Sequence, residues 1–378
     1  MKIGVDLLNL LHDRFGGVEH YVKHILEDIL RADEKITFYL FLTRPHRDLF
    51  PEFQTRMKKM MIKQSRVQSS LINMINSCQL DLWFSPLHMS ALPNISLPRV
   101  VTIHDVLHTS YPQFVSGRIE AIHHYYEQSA ALFDGVLTVS EFSKKAITEH
   151  LPIPEKKINS IYLDAPHDFR LINKEWSKLI VKKKYNLQEN YMIYPASFNP
   201  HKNHLNLLKA IALLRDDYKK NVQLVLTGFT SKENNTYQSA LQFIKNNDLD
   251  NQVRVLGFVP PEDMPHLYTA SSCMVFPSLY EGFGIPLVEA MKTDCPIVCS
   301  DRASTPEITG GAALMFNPED PRDIALKIVK LLNTNIRKNL IEKGRIRAKA
   351  FSWERSAKEA LKVFQNVITE HSIRRGTR

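Results

Sequence analysis

Two carboxylates, Glu281 and Glu289, stand eight positions apart in "YEGFGIPLVEA", 280–290, around Gly282, Gly284 and Pro286. An apolar run, "CMVFPS", precedes them and an apolar helical pattern follows. Pro286 suits a first helical turn. Glu281 then falls in the loop and Glu289 about one turn into the helix. Glycines at 282 and 284 leave the backbone bare for close approach. Carboxylates beside a helix start can accept hydrogen bonds from polyol hydroxyls, while open amides there attract an anion. Hydroxyls at both ends with a diphosphate between them describe a nucleotide sugar.

Other junctions offer matching chemistry. Lys202, in "SFNPHKNHLNLL", precedes a helix beginning near His204. A cation at a helix start opposes the dipole unless an anion lies between, so Lys202 predicts a phosphate contact. Gly16 and Gly17 precede a helix starting near Val18 and suit either phosphate or a plain turn. His104 and Asp105 directly follow the apolar run "RVVTI"; a structural histidine and a substrate contact both stay open. In "TVSEFSKKAI" Ser140 and Ser143 fit helix capping. There is no GxGxxG nicotinamide fingerprint.

The elements that must hold these residues alternate. Strand-like runs fall at 2–8, 36–43, 81–84, 99–103, 135–139 and 158–162, then at 191–195, 222–227, 252–256, 273–277, 296–300 and 312–316. Helical patterns fit 17–31, 57–77, 117–133 and 141–150, then 204–215, 236–246, 261–271, 286–293, 321–333 and 335–350. Such alternation predicts an α/β chain with parallel sheets wrapped by helices. Ligands then collect beyond the carboxyl ends of the strands, where every residue above falls. At 378 residues two domains are expected. The polar, charged and partly helical stretch 164–190 reads as the connection between them. The domains are drawn at 1–170 with 353–378, and at 171–352. Ala357, Leu361, Phe364 and Val367 make one stripe of a last amphipathic helix.

The composition is globular, 44% hydrophobic and 24% charged. No apolar run of about 18 residues predicts a membrane span, and "MKIGVDLLNLL" reads as a first strand rather than a signal peptide, so a cytoplasmic protein is expected. Cys78, Cys273, Cys295 and Cys299 form no CxxC pair and read as buried thiols. The net charge of +9 implies an anionic partner. The basic run "RMKKMMIKQSR", 56–66, reads as a solvated helix face or as an interfacial helix on anionic lipid. No nucleic-acid signature accompanies it, and none is expected as a partner. "DLD", 248–250, matches a metal-binding D-x-D by letters only, so neither metal nor cofactor is expected.

At Glu281 to Glu289 the chain resembles a retaining glycosyltransferase of family 4 with the GT-B fold, through its E-x7-E element. "LVLTG" (224–228), "VRVLGFVPPEDMPHLYTAS" (253–271), "CSDRASTPEITGGAALMFNPEDP" (299–321), "VVTIHD" and "TVSEFSKKAI" extend the resemblance over nearly the whole chain. It implies two Rossmann-like domains facing across a cleft, an acceptor domain first and a sugar-nucleotide domain second. The last helix would cross back to the first. By analogy Glu281 holds hydroxyls of the transferred sugar and Glu289 those of the ribose. Phe283, Gly284 and Ile285 line the sugar with backbone groups, and the Leu287 amide meets phosphate. Gly228 belongs to the donor site. Lys202 neutralises the diphosphate, His104 lies near the transferred sugar, and the Gly16–Gly17 loop closes over the phosphates. Many relatives carry arginine five residues before the lysine; here it is Ser197, with His201 as a substitute. Metal-independent transfer of a hexosyl group, with a lean to mannosyl, onto a glycan or lipid-linked acceptor of surface polysaccharide follows, at the inner face of a membrane. The alternatives are a binding protein without turnover, an epimerase and a phosphorylase.

Overall fold

The computed structural model describes residues 1–10, 16–43, 55–62, 67–90, 97–115 and 119–376. They divide into two compact units, Met1–Leu163 with Ser352–Arg378, and Asp164–Phe351.

The first unit carries seven strands: β1 (Lys2–Asp6), β2 (Thr37–Leu42), β3 (Met57–Met61), β4 (Leu82–Ser85), β5 (Arg99–Thr102), β6 (Gly135–Thr138) and β7 (Ile158–Ser160). They form one sheet in the order β3-β2-β1-β4-β5-β6-β7. All pairs are parallel; Val5, for example, lies between Leu40 and Phe84. Runs such as "TFYLFL" are buried along most of their length, as a sheet covered on both faces requires. Its helices are α1 (Gly17–Ala32), α2 (Val67–Cys78), α3 (Leu107–Ser110), α4 (Ile119–Ser129) and α5 (Glu141–His150). Ser140 caps α5 by accepting the Ser143 amide at 3.0 Å.

The second unit carries β8 (Met192–Pro195), β9 (Leu224–Thr227), β10 (Val253–Gly257), β11 (Cys273–Phe276), β12 (Ile297–Ser300) and β13 (Ala313–Phe316). Their order is β10-β9-β8-β11-β12-β13, again all parallel, with Ile193 between Val225 and Met274. Around them lie α6 (Lys174–Tyr185), α7 (His204–Asp216), α8 (Asn235–Asn246), α9 (Met264–Ala270), α10 (Ile285–Lys292), α11 (Thr305–Thr309), α12 (Pro321–Leu331) and α13 (Thr334–Ala348). The chain then returns to the first unit as α14 (Trp353–Gly376). There Trp353 stacks on His24 at 5.2 Å and Phe364 meets Phe84 at 5.0 Å. Ala357, Leu361, Phe364 and Val367 are buried, as the periodicity predicts.

One expectation fails on position. The run at 57–61 is the edge strand β3, paired to β2, where a helix over 56–66 was expected; residues 63–66 lie outside the described residues. Hydrogen bonding to an open sheet edge outweighs the helix-like spacing of "MKKMM", and lysine on an edge strand is ordinary protection against further pairing. The partly helical character expected of 164–190 is met by α6, which occupies its middle. All four cysteines are buried and free. Among the described residues no helix is long and apolar enough to cross a membrane.

Candidate active site

In each sheet the strand order reverses at a central pair: β1 and β4 in the first unit, β8 and β11 in the second. A crevice at the carboxyl ends of such a pair is where open α/β sheets bind ligands.

In the second unit Lys202 follows β8 and Glu281 follows β11. Hydrogen bonds from three residues stitch their loops together. The Tyr194 hydroxyl donates to the Lys202 carbonyl at 2.8 Å and lies 3.2 Å from the Ser278 hydroxyl. The Leu279 amide donates to the His201 carbonyl at 2.8 Å. Asn203, at φ 60°, donates its side-chain amide to the carbonyls of Pro277 (3.1 Å) and Pro318 (2.7 Å). Asparagine is among the few residue types that adopt this left-handed conformation routinely. Lys202 is thereby set over Glu281, with Nζ 2.7 and 2.9 Å from the two carboxylate oxygens. The side chains are 19% and 11% exposed, so the pair is mostly desolvated yet open to a ligand.

The Glu281 loop is also held from beneath. The buried Ser304 hydroxyl lies 2.9 Å from the Glu281 carbonyl and 3.0 Å from the Phe283 carbonyl, its one proton shared between them. Gly284 starts α10 at φ 93°, where a β-carbon would stand 2.9 Å from Leu287 Cδ1. Gly282, Phe283, Gly284, Ile285 and Leu287 are all buried. The Leu287 amide, expected to meet phosphate, donates to the Gly284 carbonyl at 2.9 Å, and Pro286 has no N–H. The helix start therefore presents fewer open amides than the sequence implies.

Glu289 sits on α10 in a different setting. The Tyr268 hydroxyl donates to Oε2 at 2.6 Å. Burial raises its carboxyl to about 7, against the opposing pull of the tyrosine bond. Gly228 ends β9 at φ 126°, where any β-carbon would come 2.6 Å from the Ala196 backbone; glycine is required for β9 to pass the Ser197 loop. Phe229 and Phe258, just past β9 and β10, are 46% and 61% exposed aromatic faces at the same edge. Ser197, half-buried, supplies no cation, and the His201 carbonyl is tied to Leu279. The "DLD" turn precedes β10, at the opposite, amino end of the sheet, with Leu249 buried.

The first unit assembles neutral imidazoles and hydroxyls beside the carboxylates of Asp6 and Asp105. His104 follows β5, and its Nε2 lies 3.0 Å from the Pro86 carbonyl, beyond β4. A carbonyl only accepts, so Nε2 carries the proton and Nδ1 is an acceptor. Tyr21 of α1 stands edge-on to the ring at 4.7 Å, and its hydroxyl lies 2.8 Å from the Thr102 hydroxyl. His88 is 5.0 Å from His104. Desolvation lowers His104 to about 3 and His88 to about 4, so both are neutral at physiological pH. Asp105 accepts the Leu107 amide at 3.0 Å, at the start of α3. At α1 the Gly16 amide donates to the Glu19 carboxylate at 2.8 Å. A capping box thus occupies one amide that the sequence offers to phosphate.

Among the described residues, Ser304, Tyr194, Asn203 and Tyr268 do positioning work that sequence reading assigned to none of them. Only Asn203 carried a local signal, an asparagine just before a helix.

Two family models match the chain: "Glycosyltransferase Family 4" over residues 15–163 and "Glycosyl transferases group 1" over 177–347. The chain is 31% identical over 281 residues to the O-antigen chain mannosyltransferase B of Escherichia coli, covering 72% of this chain and 73% of that protein. It is 27% identical over 238 residues to the serotype-specific mannosyltransferase WbdA of Escherichia coli, covering 62% of this chain and 29% of the relative. Among solved structures, the Anabaena protein HepE in complex with UDP and glucose superposes with a TM-score of 0.76, at 17% identity over 96% of this chain and 99% of that one. With the E-x7-E carboxylates and the lysine gathered at one sheet edge, these matches establish that the chain belongs to the family 4 glycosyltransferases of GT-B architecture.

Proposed function

We propose that the chain transfers a hexosyl group, mannosyl first among candidates, from a nucleoside-diphosphate sugar to a hydroxyl of a glycan or lipid-linked acceptor, with retention and without metal. The contact between Lys202 and Glu281 carries this reading. It joins the two strands of the switch point with one cation and one anion, the pair that a diphosphate and a sugar hydroxyl would each engage. Lysine has three donor hydrogens and can keep Glu281 while adding a phosphate oxygen. Glu281 keeps lone pairs for sugar hydroxyls, and Glu289 for the ribose. Phe229 and Phe258 offer faces to a nucleobase. The mannosyltransferase relatives and the UDP-bound neighbour support the donor class.

In the step itself the acceptor oxygen bonds to the anomeric carbon while the bond from that carbon to phosphate oxygen breaks. The acceptor proton passes to the departing phosphate on the same face. Lys202 and the α10 start, about half a positive charge, stabilise the charge that leaves. Neutral His104 can accept a sugar hydroxyl through Nδ1. A lipid-linked acceptor would hold the enzyme at the cytoplasmic face of a membrane.

The test is incubation with labelled mannosyl and glucosyl nucleotides, an acceptor pool and a chelator, followed by assignment of the product anomer. Transfer with retention in chelator is expected. An epimer, a sugar phosphate or an inverted product overturns the reading. Ser197 in place of arginine favours a second one, nucleotide binding without turnover; binding with no transfer or hydrolysis across the pool would establish it.

A further inference from the structure

Helix α6 shows an outward face that its own unit does not cover. Ser177 and Val181 turn inward and are buried. On the opposite side Trp176 is 58% exposed and Leu179 61%, with Lys183 one turn on. Spacings of three and four place these side chains in one stripe. Leu171, just ahead of the helix, is 59% exposed. A large aromatic left this open is unusual.

The charge around the stripe is net positive. "KEWSKLIVKKKY" holds five lysines and one glutamate, a net of 5 − 1 = +4. Glu175 is taken by Lys178 at 2.8 Å, and Lys184 is paired with Asp263. Lys182 and Lys183 are exposed, while the Lys174 ammonium turns to the Ser271 carbonyl at 3.4 Å. Lys174 is held below its usual range by burial and then by the nearby Arg337 of α13, so further positive charge stands beside the helix.

We propose that α6 docks the protein on an anionic membrane surface, with Trp176, Leu179 and Leu171 entering the headgroup region and the lysines on lipid phosphates. This goes beyond the transfer reaction and does not need it. Apolar side chains flanked by lysines on a surface helix are the pattern of an interfacial segment, and tryptophan favours that zone. A second copy of the chain would set lysines against lysines. The apolar stripe is also far smaller than the roughly 20–30 residues a side of a stable protein interface. A nucleic-acid strand needs successive aromatic faces to stack on, and this stripe offers one tryptophan among leucines. The surface differs from the 56–66 run, whose first half is an edge strand.

The chain has its own reporter. Of its three tryptophans, Trp83 and Trp353 are buried and Trp176 is open. The full chain, without nucleotide, is mixed with vesicles of phosphatidylcholine alone or with added phosphatidylglycerol. Emission should shift to the blue and the protein sediment with the anionic vesicles only, weakening as salt rises. Trp176→Ser with Leu179→Ser should reduce sedimentation at least about 10-fold, and Lys182→Glu with Lys183→Glu similarly. Turnover on a soluble acceptor should stay unchanged, which separates this proposal from the assigned reaction. Binding that ignores these substitutions places the contact elsewhere and overturns it. A blue shift that grows with protein concentration without vesicles, or one produced by an oligonucleotide alone, overturns it too.

Discussion

The two sheets end differently. Beyond β8 and β11 stand a lysine and two glutamates, partly open and held by hydroxyl groups. Beyond β4 and β5 stand imidazoles kept neutral by burial, with tyrosine and threonine hydroxyls. Both edges follow the same topology, so strand order alone does not set what an edge binds. The second edge stores opposite charges that neutralise each other until a ligand offers replacements. The first offers neutral imidazoles and hydroxyls, suited to binding hydroxyls, with its carboxylates Asp6 and Asp105 held by local hydrogen bonds and, among the described residues, no lysine set over them as Lys202 is over Glu281. A mostly desolvated ion pair is costly to break by removing one member, so the difference has measurable consequences.

The sharpest test removes the charges. Lys202→Met and Glu281→Gln should each lower kcat by at least ~100-fold, the scale of losing one transition-state donor. The double variant should lose little more than either single one, because contacting residues are not additive. Fully additive losses, or near-normal rates in folded variants, would break the pairing.

Next comes the support beneath it. Ser304→Ala removes the hydroxyl shared by the Glu281 and Phe283 carbonyls. Unfolding stability should fall by about 1–3 kcal/mol, the cost of leaving a buried acceptor unpaired. In rate assays kcat should fall about 10-fold, since Glu281 is displaced but present. An unchanged kcat with lowered stability would make Ser304 purely structural.

A smaller effect separates the two carboxylates by pH. Glu289 holds its proton to about 7 in the empty protein. Affinity for a nucleotide sugar, whose diphosphate does not titrate there, should rise several-fold as pH passes upward through about 7. Calorimetry on Glu289→Gln should lose that dependence. For stability the sign is opposite: a raised carboxyl favours the folded state below its ordinary 4.5, a contribution lost as pH rises through about 7.

The smallest effect concerns the neutral edge. His104 and His88 are depressed from 6.5 to about 3 and about 4. Their contribution to stability is complete above 6.5 and is lost as pH falls toward those values. The Tm should decline as pH drops below 6.5, and His104→Gln should flatten that decline. A pH–rate limb near 6.5 that vanishes in His104→Gln would show a titrating histidine and erase the contrast between the edges.

Much of this was legible in the letters. Strands buried on both faces must be apolar throughout, so "LVLT" and "CMVF" announce themselves. β3 did not, because an edge strand can use methionine and lysine in place of β-branched residues. Helical character within 164–190 was legible, but the bounds of α6 were not, because its inner stripe is only Ser177 and Val181 along its central turns. The E-x7-E spacing pointed to Glu281 and Glu289. Their unlike fates did not show, since Glu281 meets a lysine 79 positions earlier and Glu289 a tyrosine 21 positions earlier. Ser304 was invisible for the same reason: its work is done on carbonyls, which every residue has.

The return of α14 to the opening unit sets an order of assembly. The body from Asp164 to Phe351 is one uninterrupted stretch and can close its core as soon as that stretch has emerged from the ribosome. The body begun at Met1 must wait with Phe84 and His24 uncovered until Phe364 and Trp353 arrive. What is made first is finished last, and a stop codon near position 352 would leave the earlier half without its seal.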